Sequence, residues 1–340
     1  MRFLYHLNIG DRKDLFRGGY VWSVSLTFIL LCGCHRPMPP KIAVIPRTTG
    51  TMMWEPEHGG ALTAALPLGA NIYWNAPTRE DDTQRQIELI QRVAAGDYQG
   101  LILAPDHSLA LVSPVRRAVS QGLPTVVVGS PLAIPPGGLL WYILNDEEAG
   151  GRIAAQRIAA MLHSHGSIAI LGIDPDINGI MERARSLEQF LAEHYPNIHT
   201  VANEMGSFNV PHEQQMAEEI LKTHPDLDAV VTLTATSMHG VLSAIRSNPS
   251  VHARVIAFDS DSMAFDDPNV DCLILQNTKE MGAEGVHTIF AYLHGESMPA
   301  IVQLEPVLVT RENAGSDEVR QITSMEWRPP QIQWRWSVRQ

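Results

Sequence analysis

RVIAFDSDSMAFDDPNVDCLILQNTKEMGAEG, residues Arg254 to Gly285, is the stretch that decides the fold. Two short apolar runs within it, Val255 to Phe258 and Cys272 to Leu275, are bounded by turn residues and read as buried strands. Each ends on one polar residue, Asp259 and Gln276. In an open parallel sheet, ligands sit beyond the carboxyl ends of the strands, so both residues point at whatever the crevice holds.

Outward from this stretch the chain alternates. Lys41 to Pro46 reads as a strand, Glu57 to Leu66 as a helix, Ala70 to Trp74 as a strand and Asp82 to Ala95 as a helix with Ile87, Ile90 and Ala94 on one face. Strand Gly100 to Leu103, helix Leu111 to Gln121 and strands Pro124 to Val128 and Leu139 to Leu144 follow. A second series runs helix Glu147 to Leu162, strand Ser167 to Leu171, helix Met181 to His194, strand His199 to Asn203 and helix Pro211 to Lys222. Strand Ala229 to Thr232 and helix Ser237 to Arg246 lead back to the opening stretch. Helix Glu280 to His294 carries Val286, Ile289, Phe290 and Leu293 as an amphipathic stripe, and strand Ile301 to Leu308 follows it. Strands alternating with helices at this spacing are right-handed βαβ units, so the chain is α/β with two doubly wound parallel-sheet domains. From Thr310 the tail lacks periodicity.

A length of 340 residues suits two domains of ordinary size. A net charge of -12 without a lysine or arginine block argues against a nucleic-acid partner, which needs a basic face for phosphates. At the amino terminus, Arg2, Arg12, Lys13 and Arg17 precede an apolar run from Tyr20 to Leu31, too short for a comfortable membrane span and suited to an export signal. The run ends Leu31-Cys32-Gly33-Cys34, which resembles the lipobox of bacterial lipoproteins. That resemblance makes residues 1–33 a signal peptide and Cys34 the lipidated first residue of the mature chain, leaving a plain signal or a signal anchor as the alternative. Residues 34–40 then form a stiff, proline-rich tether. Cleavage leaves only Cys34 and Cys272, so no intramolecular disulfide framework exists, and Cys272 reads as a small core residue.

The chain from Lys41 to about Leu308 resembles the type I periplasmic binding proteins for sugars, most nearly the ribose-binding proteins. The matching stretches are KIAVIPRTTGTMMWEPEHGGA, GLILAPDHSLALVSPVRRAVSQGLPTVVVG, NDEEAGGRIAAQRIA, ERARSLEQFL, HPDLDAVVT, VIAFD and ILQN, in that order. The resemblance implies two Rossmann-like lobes joined by a three-segment hinge, with crossings near Asn145, Gln276 and Glu305. Residues 41–144 plus 277–304 would form the first lobe and 145–276 plus 305–312 the second, with 313–340 as a carboxyl-terminal extension. It also implies a monomeric solute-binding lipoprotein of the periplasm or cell envelope, which closes on a sugar-like ligand and presents it to an ABC-type permease. The alternative on the same fold is a periplasmic sensor subunit that reports occupancy to a membrane receptor. Neither catalysis nor a cofactor nor a metal is expected: the sequence has no phosphate loop or nucleophile elbow, and its 14 histidines are scattered.

Sugar recognition needs flat aromatic faces and planar groups that fork two hydrogen bonds. The resemblance puts a stacking aromatic at Trp54 and a second side chain at Met53, on a loop that also carries Thr51. It makes Arg183, at the start of a helix in MERARSLEQF, a sugar-binding arginine, and gives Asp259 and Gln276 the same task. Asn145 and Asp146 stand at the first crossing, where hinge and ligand contacts overlap. Two departures stand out: Gly129 and Ser130 replace an aspartate and arginine, and Thr234 replaces an asparagine. Losing that pair removes contacts of about 1.5 to 3 kcal/mol each and argues against ribose itself. Asp259 and Arg183 balance each other, which predicts a neutral ligand, and replacing either is expected to abolish ligand response while leaving the unliganded melting point nearly unchanged.

Overall fold

The first strand, β1 (Lys41–Ile45), is flanked by β2 (Asn71–Trp74) and β3 (Gly100–Leu103), both parallel to it. These belong to a computed structural model that describes residues 38–259 and 264–325. The expected signal and Cys34 lie outside the described residues, as does the tail beyond Met325. β4 (Thr125–Gly129), β5 (Leu140–Asn145) and β11 (Ile301–Leu304) complete a six-stranded parallel sheet in the order β11-β5-β4-β3-β1-β2.

The second sheet is built from β6 (Gly166–Ile173), β7 (Ile198–Met205), β8 (Ala229–Thr232), β9 (Arg254–Phe258), β10 (Val270–Leu275) and β12 (Val307–Val309). Its order is β12-β10-β9-β8-β6-β7, with only β12 antiparallel. The strand expected over Ile301 to Leu308 is therefore two strands in two sheets. Pro306 is the physical reason: it offers no N–H to a ladder, so pairing stops there and the chain turns from one sheet to the other.

Central strands such as GLIL and AVVT are buried at every residue, as strands covered on both faces must be. The first sheet is covered by α1 (Glu55–Ala65), α2 (Thr83–Ala94), α3 (Val112–Ser120) and α8 (Thr278–Leu293). The second is covered by α4 (Glu147–Met161), α5 (Asn178–His194), α6 (Val210–Thr223) and α7 (Ala235–Ser247). Side-chain caps start five of these helices, with Asp82, Asp146, Asn209, Thr234 and Asn277 each accepting from a backbone N–H three residues on. The tail, which lacks periodicity in the sequence, forms α9 (Asp317–Thr323), capped by Ser316 and burying Val319 and Ile322 against the second core. One apolar pair on a two-turn helix is too short to register as a period.

Helix α8 arrives from the second sheet and still packs on α1 of the first, because glycines let the two backbones touch. A Cβ on Gly60 would lie 1.9 Å from the Lys279 carbonyl oxygen, and one on Gly282 would lie 2.1 Å from that of Glu57. Only glycine fits such a crossing. Gly60→Val is expected to cost at least the roughly 1–3 kcal/mol of an overpacked core. Thermal unfolding followed by circular dichroism should show the loss as a melting point lowered by several degrees.

Candidate functional site

Parallel strands deliver their carboxyl ends to one edge, and in both sheets that edge carries the polar side chains. From the first sheet, β1 leads to Arg47, β3 to Asp106, β4 to Ser130 and β5 to Asn145, while the loop after β2 carries Glu80. From the second, β6 leads to Asp174, β8 to Thr234, β9 to Asp259 and β10 to Gln276. The two edges face each other across a cleft. The Ser108 N–H donates to the Asp176 carbonyl at 2.7 Å, the Gly179 N–H donates to the Ser130 hydroxyl at 2.8 Å, and Asn178 Nδ2 donates to the Pro131 carbonyl at 3.2 Å. At the cleft's lip His107 Nε2 lies 3.5 Å from Asp176 Oδ1.

Arg183 is the centre of the second lobe's share. Helix α5 begins at Asn178, earlier than expected, so Arg183 lies on its second turn rather than at its start, and only 1% of it is exposed. Its Nε and Nη2 donate to Glu147 Oε2 and Oε1 at 2.7 and 2.6 Å, a bidentate pair. Nη1 donates to Asp259 Oδ2 at 2.6 Å and to the Leu233 carbonyl at 3.1 Å, and the guanidinium lies 4.8 Å from the Phe258 ring centroid. Burial would lower its pKa, yet Asp259 and Glu147 hold it above the usual arginine range. Gln276 Nε2 also donates to Asp259 Oδ2, at 2.6 Å. Asp259 reaches this position with φ 51°, a left-handed backbone that aspartate tolerates better than most residues.

Glu147 did not stand out in the sequence, where it reads as an ordinary acid on a helix's first turn. It is fixed by α4 lying hard against α5: a Cβ on Gly151, one turn further along, would sit 2.6 Å from the Arg183 carbonyl oxygen. Burial raises the pKa of the Glu147 carboxyl, with Arg183 opposing.

The first lobe's share gathers around Arg47, which the sequence reading also missed. Its guanidinium lies 5.3 Å from the ring centroid of Trp54, a side chain buried in the lobe's core with 1% exposed. Met53 packs half-buried against the same core, and Thr51 lies half-buried with its hydroxyl unpartnered. Glu57 is wholly buried, with neither carboxyl oxygen bonded, and burial pushes its pKa up to about 8 against the pull of Arg47. Burial likewise pushes Asp106 up to about 7, opposed by the nearby Thr83 hydroxyl and Arg47. Neither Asp106 oxygen has a partner in hydrogen-bonding geometry. Glu80 and Asp174 are also raised by burial, each partly offset by Arg47, and Glu80 feels Asp259 across the cleft. Their signal in the sequence was position alone: Arg47, Asp106 and Asp174 each follow an apolar run.

The remaining candidates serve structure as well as the cleft. Asp146 and Thr234 cap helices α4 and α7, and the Thr234 hydroxyl lies 2.9 Å from that of Ser237. Asn145 Nδ2 donates to Glu147 Oε1 at 3.4 Å. Ser130 spends its hydroxyl on Gly179, so a position where the ribose-type pattern has a charged side chain ties one lobe to the other. Cys272 is fully buried, and burial pushes its thiol up to about 12, as suits a core residue.

Two α/β lobes with a polar cleft between facing strand ends define a ligand-binding protein of the hinged, two-lobed class. Comparison with known proteins agrees. The family model described as "Periplasmic binding protein domain" matches residues 42–297. The ribose import binding protein of Escherichia coli is 23% identical over 80% of this chain and 90% of its own length. The D-apiose import binding protein of Paraburkholderia graminis is 22% identical over 81% of this chain and 88% of its own. Among solved structures, a carbohydrate transporter solute-binding protein from Agrobacterium radiobacter in complex with D-arabinose superposes with a TM-score of 0.77 at 23% identity, covering 84% of this chain and 99% of the other. An ABC transporter solute-binding protein from Agrobacterium vitis bound to alpha-D-tagatopyranose gives 0.77 at 22% identity, covering 83% of this chain and 98% of the other. The chain belongs to the periplasmic binding protein domain family.

The geometry changes one expectation and generates another. Arg183→Met leaves Glu147 and Asp259 as buried, unpaired carboxylates, which costs about 3–5 kcal/mol. The unliganded melting point should therefore fall markedly rather than stay unchanged, as differential scanning calorimetry would register. For Glu57, native pKa exceeds the ordinary 4.5, so between pH 4.5 and about 8 the unfolded chain binds fewer protons than the native one. Stability then declines with rising pH across that window, by up to about 1.4 kcal/mol per unit. Glu57→Gln should remove this residue's share of the slope, and urea titrations of both proteins at pH 5 and pH 8 would measure the difference.

Proposed function

We propose that this protein captures a sugar-sized polar molecule in the cleft between its lobes and delivers it to an ABC-type permease. The observation that carries the reading is the convergence of Arg183, Asp259 and Gln276, from separate elements, on one buried network with Asp259 Oδ1 and Gln276 Oε1 unpartnered. Buried polar atoms are almost always satisfied, so free ones at a cleft are addressed to a ligand. The relatives' names support the chemistry, because those proteins are import binding proteins for ribose and D-apiose.

The lobes are taken as residues 41–144 plus 277–304 and 145–276 plus 305–312, with closure by hinge motion at the crossings. The ligand is held by Asp259, Gln276 and Asn145, with Arg183 fixing Asp259 in place and Trp54 lining the opposite wall through Arg47. The amino-terminal pattern ending in Cys34 supports export by residues 1–33 and a lipid anchor in the periplasm or cell envelope, the family resemblance supports a monomer, and the cleft chemistry is binding without catalysis.

A thermal-shift screen of the purified full-length chain against pentoses, hexoses and polyols tests this. A ligand at 100 times its dissociation constant adds about 2.7 kcal/mol of stability. Asp259→Asn and Gln276→Ala should both lose most of the shift given by the best compound. A shift that survives in both variants would remove the cleft as the binding site.

A further inference from the structure

We propose that the ligand of this cleft carries a protonated amine, because an acidic surplus and a set of buried oxygen acceptors left without a hydrogen-bond partner match a sugar-sized polyol bearing an ammonium group. The inference rests on the cleft being the ligand site. It departs from the neutral ligand expected when Arg183 and Asp259 are weighed alone.

Arg183 is already matched by two carboxylates, Glu147 and Asp259. Arg47 is the arginine felt by Glu57, Glu80, Asp106 and Asp174, with His107 also acting on Asp174. Six carboxyl groups thus face two guanidinium groups, and the Glu80 to Asp259 interaction joins both sets across the cleft. Among the described residues no cluster of three or more histidine, cysteine or carboxylate side chains is placed to hold a metal ion.

Hydrogen bonding gives the same answer independently of charge. Seven acceptor atoms of these residues and their cleft neighbours are buried without a partner: both oxygens of Glu57, both of Asp106, Asn145 Oδ1, Asp259 Oδ1 and Gln276 Oε1. The amide nitrogens of Asn145 and Gln276 are already donated to Glu147 and Asp259, so their oxygens are what remain. Around these residues, among the described residues, the buried donors without a partner include Arg47 Nε and Trp54 Nε1, besides the Thr51 hydroxyl, which can act either way. A sugar hydroxyl brings one donor and two lone pairs, whereas an ammonium brings three donors and no acceptor. Bonds from an ammonium to carboxylates are also charge-assisted and roughly twice as strong as neutral ones. Without such a ligand the protein relieves its surplus by holding protons, and burial moves Glu57 and Asp106 that way; an ammonium takes the place of those protons.

The test is titration calorimetry of the full-length chain at pH 7 with matched compounds: D-glucose, D-glucosamine and N-acetyl-D-glucosamine, the corresponding galactose series, and sorbitol with glucamine. The amine is expected to bind at least tenfold tighter than its hydroxyl and N-acetyl counterparts in at least one series. In Asp106→Asn that preference should shrink to threefold or less, while the unliganded melting point stays at or above wild type, which separates lost recognition from lost folding. Hydroxyl compounds that bind as tightly as their amines would overturn the amine and leave sugar capture standing. Binding of no compound in any series would overturn both.

Discussion

The buried guanidinium of Arg183 constrains everything else in the second lobe. A charge with 1% of its surface exposed survives only if its donors are matched, and here Nε and Nη2 are spent on Glu147 while Nη1 is shared between Asp259 and a backbone carbonyl. That arrangement fixes the distance from α4 to α5, which is why Gly151 stands where the helices touch, and it holds Asp259 in a left-handed backbone at the end of β9. Buried ion pairs of this kind seldom add net stability, because desolvation offsets their attraction. Here the pair fixes Asp259: its Oδ2 accepts from both Arg183 and Gln276, and its buried Oδ1 has no partner.

The first lobe is built on the opposite principle. Arg47 lies over the face of Trp54 and is surrounded by carboxyls, several of which burial holds toward their neutral form. The second lobe's charges are locked by direct ion-pair bonds, whereas Arg47 acts on the first lobe's carboxyls through space. A cleft with one rigid wall and one electrostatically unsettled wall responds to the charge of its occupant mainly on the unsettled side. Ser130 adds a mechanical difference, since its hydroxyl grips the Gly179 amide and holds the start of α5 against the first lobe.

Much of this was legible in the order of residues. Apolar runs of strand length ending in one polar residue gave the parallel sheets and put Asp259 and Gln276 at strand ends, because a strand's carboxyl end is defined by its sequence, whereas Asn145 and Arg183 entered only through the resemblance. Two local features escaped for equally physical reasons: Pro306 splits what reads as one apolar strand, and α9 is too short for its Val319 and Ile322 pair to show a period.

What the sequence by itself determined, then, was the pair of sheets and the strand tips, properties carried by neighbours along the chain. Only the tertiary structure decided which tips pair. Glu147 meets Arg183 from 36 residues away and Asp259 meets it from 76, while Arg47 gathers its acids from several strands. No spacing rule encodes such encounters, because burial creates them: a charge removed from water must find its partner wherever the fold brings one within reach.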